Sequence, residues 1–306
     1  MKRLNTRSFL AVAILSFFIT GFDLSRHSIP IDEIISGGPP KDGIPAILHP
    51  KFISSKEAGF LRNDDRVLGI KGKGEVKAYP VNIMNWHEIV NDTIDGRPVV
   101  ITYCPLCGTG IGFEAVIDDR TYTFGVSGML YNSDVLLYDH QTESLWSQIG
   151  HVAVTGKMTG KELTMIPLMH TTWSEWRNMH PDTLVLSSDT GYFRDYGHDP
   201  YIGYYSDSRT MFPVKKTDSR YHAKEWVLGI EVDGRFKAYP FSELKKTRTN
   251  IKDIVNKREI VIYFNPDSRN AYVVDKEGKI LPSIIGFWFA WYAFHPDTLV
   301  YEKIQD

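Results

Sequence analysis

Cysteine is nearly absent from this chain of 306 residues: only Cys104 and Cys107 occur, three positions apart. A secreted scaffold stapled by disulfides needs more cysteines spread over longer loops, so that class is excluded. Basic residues form nothing beyond short lysine pairs and the formal net charge is −2, so the chain lacks the electrostatic footprint of a nucleic-acid-binding protein. A serine hydrolase with the Gly-x-Ser-x-Gly motif is also not expected, because Gly125-Val126-Ser127-Gly128 is one residue too short.

Long hydrophobic runs are missing as well, since no apolar run reaches the ~20 residues that a membrane-spanning helix needs. The N-terminal run Phe9–Phe22 is mostly apolar, has fourteen residues and follows three basic residues. A positive segment before such a run is typical of a secretory signal. We therefore predict that residues 1–25 are a signal peptide or a short uncleaved anchor. The protein is then periplasmic or extracellular, and it touches the membrane only through this segment.

Two tetrapeptides of the chain occur twice at the same spacing, at residues 67–70 and 77–80 and again at 227–230 and 237–240. The repeats predict an internal duplication whose second copy is shorter and has Asn265 and Ser268 in place of the two cysteines. Short strands in hairpins and few short helices predict an α+β fold with mainly antiparallel sheet. The expected order after the signal is an N-terminal arm (26–62), a first copy (63–190), a wrapping connector (191–224) and a degenerate second copy (225–306).

The cysteine motif Cys104-Pro105-Leu106-Cys107-Gly108 follows a predicted strand and leads into further glycines. Glycines at 108, 110 and 112 disfavour the helix that follows the motif in thioredoxin-like proteins. A tight turn that directs both sulfurs to one side, as in a metal knuckle, fits better. Two thiolates in an exported protein suit a soft ion, so copper is favoured over zinc, and both are carried forward.

Such a site needs more ligands than two thiolates, and His87 and Met129 are the candidates to complete it. His87 is absent from the second copy, as the cysteines are, and a helix starting near Val81 would place Met84, His87 and Asn91 on one face. Glu88 could orient His87 or act as a base. The candidate catalytic residues are therefore Cys104, Cys107 and Glu88.

A polar and aromatic segment, residues 124–148, has no counterpart in the second copy. Its crowding of hydroxyl, amide and carboxylate groups is typical of a pocket wall. The predicted pocket residues are Ser127, Asn132, Ser133, Asp134, Asp139, Glu143 and Trp146.

Several motifs together resemble one known family, the domain-of-unknown-function 3179 family. They are Trp86–Asp92, Thr102–Thr109, Gly125–Asp134 and Thr142–Gln148, with Thr172-Trp173. The resemblance covers roughly residues 36–302, although Gly110 stands where the family often has alanine and His140 where arginine is common. It implies an exported or membrane-associated bacterial or archaeal protein, and it implies no reaction.

Three functional hypotheses remain open at this point. The first is an extracytoplasmic metal-binding protein whose Cys-x-x-Cys site lies next to a polar pocket and exchanges metal with a donor or acceptor protein. The second is a thiol-disulfide oxidoreductase that cycles Cys104 and Cys107. The third is a non-enzymatic module that binds a small molecule in the polar pocket.

Overall fold

The computed structural model describes residues 21–247 and 250–303, and it consists mainly of β-strands, with 40% strand and 12% helix. The strands are β1 (Ile35–Ser36), β2 (Phe52–Ser54), β3 (Arg66–Lys71), β4 (Val76–Pro80), β5 (Ile89–Ile94), β6 (Arg97–Cys104), β7 (Thr109–Glu114), β8 (Val116–Ile117), β9 (Arg120–Thr121), β10 (Phe124–Tyr131), β11 (Asp134–Asp139), β12 (Leu145–Ser147), β13 (Val152–Ala153), β14 (Met165–Ile166), β15 (Met169–Thr172), β16 (Leu184–Leu186), β17 (Trp226–Val232), β18 (Arg235–Pro240), β19 (Ile251–Val255), β20 (Arg258–Asn265), β21 (Asn270–Asp275), β22 (Ile280–Leu281), β23 (Ile284–Phe287) and β24 (Leu299–Val300). The helices are α1 (Val81–His87), α2 (Trp173–Met179), α3 (Ile202–Ser206), α4 (Phe241–Leu244) and α5 (Trp288–Phe294), with a 3₁₀ turn at Ile31–Glu33.

The strands form five small sheets arranged as the blades of a β-propeller. In order of hydrogen-bonded neighbours, sheet A is β1-β10-β11-β12-β13, sheet B is β14-β7-β6-β5, sheet C is β15-β3-β4-β16-β2, sheet D is β23-β17-β18-β24 and sheet E is β19-β20-β21-β22. Strands β8 and β9 form a separate two-stranded ribbon. Most pairings are antiparallel, and β16 with β4 and β24 with β18 are parallel.

The expectation of an internally duplicated α+β fold is wrong. The longest of the described helices have seven residues, about two turns, which is too short for a separate helical layer. The repeated tetrapeptides fall in two different blades, β3–β4 of sheet C and β17–β18 of sheet D. The structural unit is therefore the small sheet, and the molecule is not built from two α+β halves.

Packing explains why the first tetrapeptide, Val-Leu-Gly-Ile, has glycine. A Cβ atom on Gly69 would collide with the ring of Trp176, and one on Gly229 would collide with the ring of Trp291. Both tryptophans are buried. Only glycine lets an indole ring lie directly on the strand backbone at these positions.

Charge pairing explains the second tetrapeptide, Lys-Ala-Tyr-Pro. The Lys77 ammonium lies 3.1 Å from the Asp92 carboxylate, to which the Tyr79 hydroxyl donates a hydrogen bond of 2.7 Å. Lys237, Tyr239 and Asp253 form the same arrangement in the neighbourhood of sheets D and E. The lysine is tolerated near the core because its charge is paired and hydrogen-bonded.

The predicted N-terminal signal, residues 1–25, falls mostly on residues 1–20, outside the described part of the chain. Between residues 21 and 303, apart from 248–249, no helix is long and apolar enough to cross a membrane.

Candidate metal site

Three buried ligand groups converge where sheet B meets sheet A. The Sγ atoms of Cys104 and Cys107 and a carboxylate oxygen of Asp134 all lie within 4.8 Å of one another. Cys104 ends β6, Cys107 lies in the turn that leads to β7, and Asp134 begins β11. Both cysteines are free thiols, and none of the three side chains is more than 1% exposed.

The turn that holds Cys107 is tight and is fixed from outside. The Cys107 N–H donates to the Cys104 carbonyl at 3.2 Å, and Gly108 closes the turn with φ +66°. The N–H of Phe287, in sheet D, donates to the Cys107 carbonyl at 2.8 Å, and the Tyr204 hydroxyl donates to the Leu106 carbonyl at 2.9 Å. The motif therefore forms the predicted knuckle, and no helix follows it, because β7 starts at Thr109.

Asp134 reaches the knuckle through a two-residue hairpin turn. Asn132 and Ser133 both have positive φ, +52° and +66°, which is the backbone of a type I′ turn. The turn places the Ser133 carbonyl 3.3 Å from the Cys107 sulfur and 3.9 Å from the Cys104 sulfur. The Asp134 Oδ2 accepts a hydrogen bond from the Ile149 N–H at 3.0 Å, whereas its buried Oδ1 has no hydrogen-bond partner among the described residues.

Burial dominates the electrostatics of this cluster. It raises the pKa of Asp134 to about 7 and raises the pKa of the Cys104 thiol and, further, of the Cys107 thiol. No ion pair joins Asp134 to a lysine or arginine within the described ranges. A metal ion that binds here would have to displace protons from these groups, so its affinity would depend on pH.

His87 lies outside this cluster. Its Nδ1 is 2.7 Å from the Pro45 carbonyl and its Nε2 is 2.6 Å from the Tyr196 hydroxyl, so both ring nitrogens have protein partners. The helix that carries it ends at His87, because Glu88 follows with φ +57°. Asn91 therefore belongs to β5 and does not continue the helical face on which the ligand prediction depended.

Glu88 and Met129 line a cavity of about 100 Å³, to which Leu106 of the knuckle also contributes. The other lining residues are mostly apolar, apart from Tyr201. Burial, with the charge of Asp134 as a second cause, raises the pKa of Glu88 to about 8. Met129 packs in an apolar cluster with Ile34 and Leu136.

In the structure, only some of the predicted pocket residues lie near the cysteines. Asp134 is a member of the cluster, and Asn132 and Ser133 form the turn before it. The remaining members make other contacts. Within sheet A, the Ser127 hydroxyl donates to the Leu136 carbonyl and accepts from the Met129 N–H, and Asp139 accepts from the Trp146 indole at 2.9 Å. Glu143 pairs with Lys41 at 2.5 Å near the surface, outside the strands. The sequence predicted Asp134 as a pocket residue and not as a ligand of the cysteine site. The available signal was an aspartate placed directly after an Asn-Ser turn.

Comparison with known proteins identifies the family and no nearer relative. No curated protein and no solved structure matches the chain. A family model described as "Protein of unknown function (DUF3179)" matches residues 41–298, which carry the knuckle, the Asn-Ser turn and Asp134. This match confirms the resemblance found in the sequence motifs, and the chain belongs to the DUF3179 family.

Proposed function

We propose that this protein binds a zinc ion in an extracytoplasmic compartment, with Cys104, Cys107 and Asp134 as ligands. The observation that supports this most directly is the convergence of two thiols and one carboxylate within 4.8 Å at a buried position. Each group comes from a backbone segment fixed by hydrogen bonds to another part of the chain. A site prearranged in this way loses little conformational entropy when the ion binds.

The carboxylate favours zinc over copper. Copper(I) prefers soft ligands such as thiolates and thioethers, whereas zinc accepts cysteine together with aspartate. The sequence alone favoured copper because two thiolates in an exported protein suit a soft ion, and Asp134 was not among the predicted ligands.

Burial disfavours the alternative of a thiol-disulfide oxidoreductase. The attacking species in disulfide exchange is a thiolate, and it must reach the sulfur of a partner. Cys104 and Cys107 are 1% and 0% exposed, and burial raises the pKa of both thiols. Small-molecule binding in the cavity beside Glu88 remains a second candidate function, supported by that cavity alone.

The test is elemental analysis of protein purified without chelator, combined with zinc titration against a chromophoric chelator. We expect about one zinc per chain, lost in Cys104→Ser/Cys107→Ser and strongly weakened in Asp134→Asn. Glu114→Gln, which alters an acid in β7 of the same knuckle-bearing sheet, is the control and should bind zinc normally. Unchanged metal content in the double serine variant would refute the proposed site, and copper in place of zinc would refute the choice of ion.

Export is tested separately with residues 1–25 fused to a reporter enzyme that is active only outside the cytoplasm. We expect reporter activity from the fusion and a loss of activity when Lys2, Arg3 and Arg7 are replaced by glutamate, because a signal needs a positive first segment. Activity confined to the cytoplasm would contradict the proposed location.

A further inference from the structure

The three converging groups leave a zinc ion one ligand short. Structural zinc sites hold the ion with four protein ligands, and catalytic sites leave the fourth position to water or substrate. We propose that Glu88 supplies the fourth ligand and closes the site. This inference rests on the proposed metal site and deepens it.

The backbone places Glu88 directly beside the knuckle. The Tyr103 N–H donates to the Glu88 carbonyl at 2.7 Å, and the adjacent pair in the β5–β6 ladder is Ile89 with Thr102. Glu88 thus lies across from the residue that precedes Cys104. Its φ of +57° ends α1 and turns the chain into β5. A non-glycine residue in this conformation is uncommon and costs on the order of 1 kcal/mol or more, and such strain concentrates at functional sites.

The Glu88 side chain is largely buried and forms no hydrogen bond with the residues that the structure describes. The residue is 7% exposed, and its side chain faces the 100 Å³ cavity. It is close enough to the cluster for the charge of Asp134 to act on Glu88 and for the charge of Glu88 to act on Cys104. A largely buried carboxylate without hydrogen bonds or a cation is costly. The Glu88 carboxylate is not one of the three groups within 4.8 Å of one another, so the proposal requires its side chain to rotate toward the ion when the ion binds.

Other nearby groups fit the fourth position less well. Both ring nitrogens of His87 are occupied by Pro45 and Tyr196. The Ser133 hydroxyl is buried without a partner, but a neutral hydroxyl is not among the usual zinc ligands. The charge of two thiolates and two carboxylates is also acceptable, because the four thiolates of a Cys₄ zinc site carry as many negative charges.

Cobalt(II) substituted for zinc tests the coordination number directly. The d–d spectrum of cobalt(II) distinguishes four-coordinate from higher coordination, and azide perturbs it only where a ligand position is open or held by water. We expect azide to leave the spectrum of the wild-type protein unchanged and to shift that of Glu88→Ala. Zinc affinity should fall in Glu88→Ala by more than the roughly 10-fold to 100-fold that the loss of an outer-shell partner costs. Glu114→Gln should behave as wild type.

The experiments distinguish failure of the Glu88 proposal from failure of the metal site itself. If azide perturbs the wild-type protein as strongly as Glu88→Ala, or if Glu88→Gln binds zinc as tightly as wild type, then Glu88 is not a ligand, while the site of Cys104, Cys107 and Asp134 stands. If the wild-type protein binds neither zinc nor cobalt, both proposals fail. Should Glu88→Ala not fold, the azide experiment on wild type and the near-isosteric Glu88→Gln still decide the question.

Discussion

Replacement of Gly108 by alanine tests whether the knuckle depends on this glycine. Gly108 has φ +66°, and a Cβ atom there would lie 2.8 Å from Cη2 of Trp226 and 3.3 Å from Cε2 of Phe287. Two separate costs follow, one from the left-handed backbone and one from crowding against rings of sheet D. Because Phe287 also holds the Cys107 carbonyl, relief of the crowding would displace a proposed metal ligand.

The magnitude can be worked out from these two terms. An L-residue in the left-handed conformation costs roughly 1–2 kcal/mol, and overpacking of a close-packed site costs typically about 1–3 kcal/mol. We therefore expect Gly108→Ala to lower the free energy of unfolding by about 2–5 kcal/mol. Gly96→Ala isolates the first term, because Gly96 has φ +74° and open space around its Cβ position. It should cost only about 1–2 kcal/mol.

Urea unfolding of metal-free protein, followed by tryptophan fluorescence, measures both variants, and zinc titration measures the effect on the site. In a double-mutant cycle with Trp226→Leu, the cost of Gly108→Ala should shrink toward that of Gly96→Ala, since residues in contact are coupled energetically. The reasoning is refuted if Gly108→Ala costs no more than Gly96→Ala, or if zinc affinity is unchanged in a clearly destabilised Gly108→Ala protein.

Two further predictions concern the core. Burial lowers the folded-state pKa of His295 to about 3, so its contribution to stability is full above pH 6.5 and is lost as the pH falls toward 3. His295→Phe, which preserves the stacking on Phe236, should weaken the pH dependence of the unfolding free energy between pH 6.5 and 4, and an unchanged slope would argue against this assignment. Asp92→Asn removes the nearer of two countercharges of the buried Lys77 ammonium and leaves only Glu75 at 4.0 Å, so it should cost about 3 kcal/mol. In urea unfolding, a cost below ~1 kcal/mol, the value for an exposed pair, would show that the pair is not buried in solution.

Local features of the site could be predicted from the sequence because they depend on neighbours along the chain. Three glycines near Cys107 disfavoured a helix, and Gly108 has the positive φ that a knuckle requires. The hairpin of β3 and β4 and the start of α1 after Pro80 also follow from local turn and proline signals.

The position of His87 could not be predicted, because a single backbone angle decides it. The expected helical face assumed that Asn91 still belonged to the helix, whereas Glu88 adopts φ +57° and ends it after two turns. The propensities of these residues do not reveal that reversal, since positive φ is uncommon for glutamate. Because of this backbone angle, Glu88 replaces His87 as the candidate for the remaining ligand.

The fold class and the third ligand depend on pairings between distant segments. Strand β1 pairs with β10, β14 with β7 and β15 with β3, and these long-range pairings divide the strands among five sheets. Asp134 meets Cys107 only because sheet A packs against sheet B. The repeated tetrapeptides reflect a local requirement, the packing of Trp176 and Trp291 on glycine. They do not predict how many sheets the fold contains.

Burial of the cysteines separates the two chemistries that their spacing allows. Exchange with a partner disulfide needs an exposed thiolate, and the desolvation of Cys104 and Cys107 opposes both exposure and ionisation. The same desolvation favours a divalent cation, because the ion neutralises thiolates and the Asp134 carboxylate together, where water and basic side chains do not. An interior position is thus a disadvantage for a redox pair and an advantage for a metal site. The placement of Asp134 beside the thiols is accordingly better explained by metal binding than by thiol exchange.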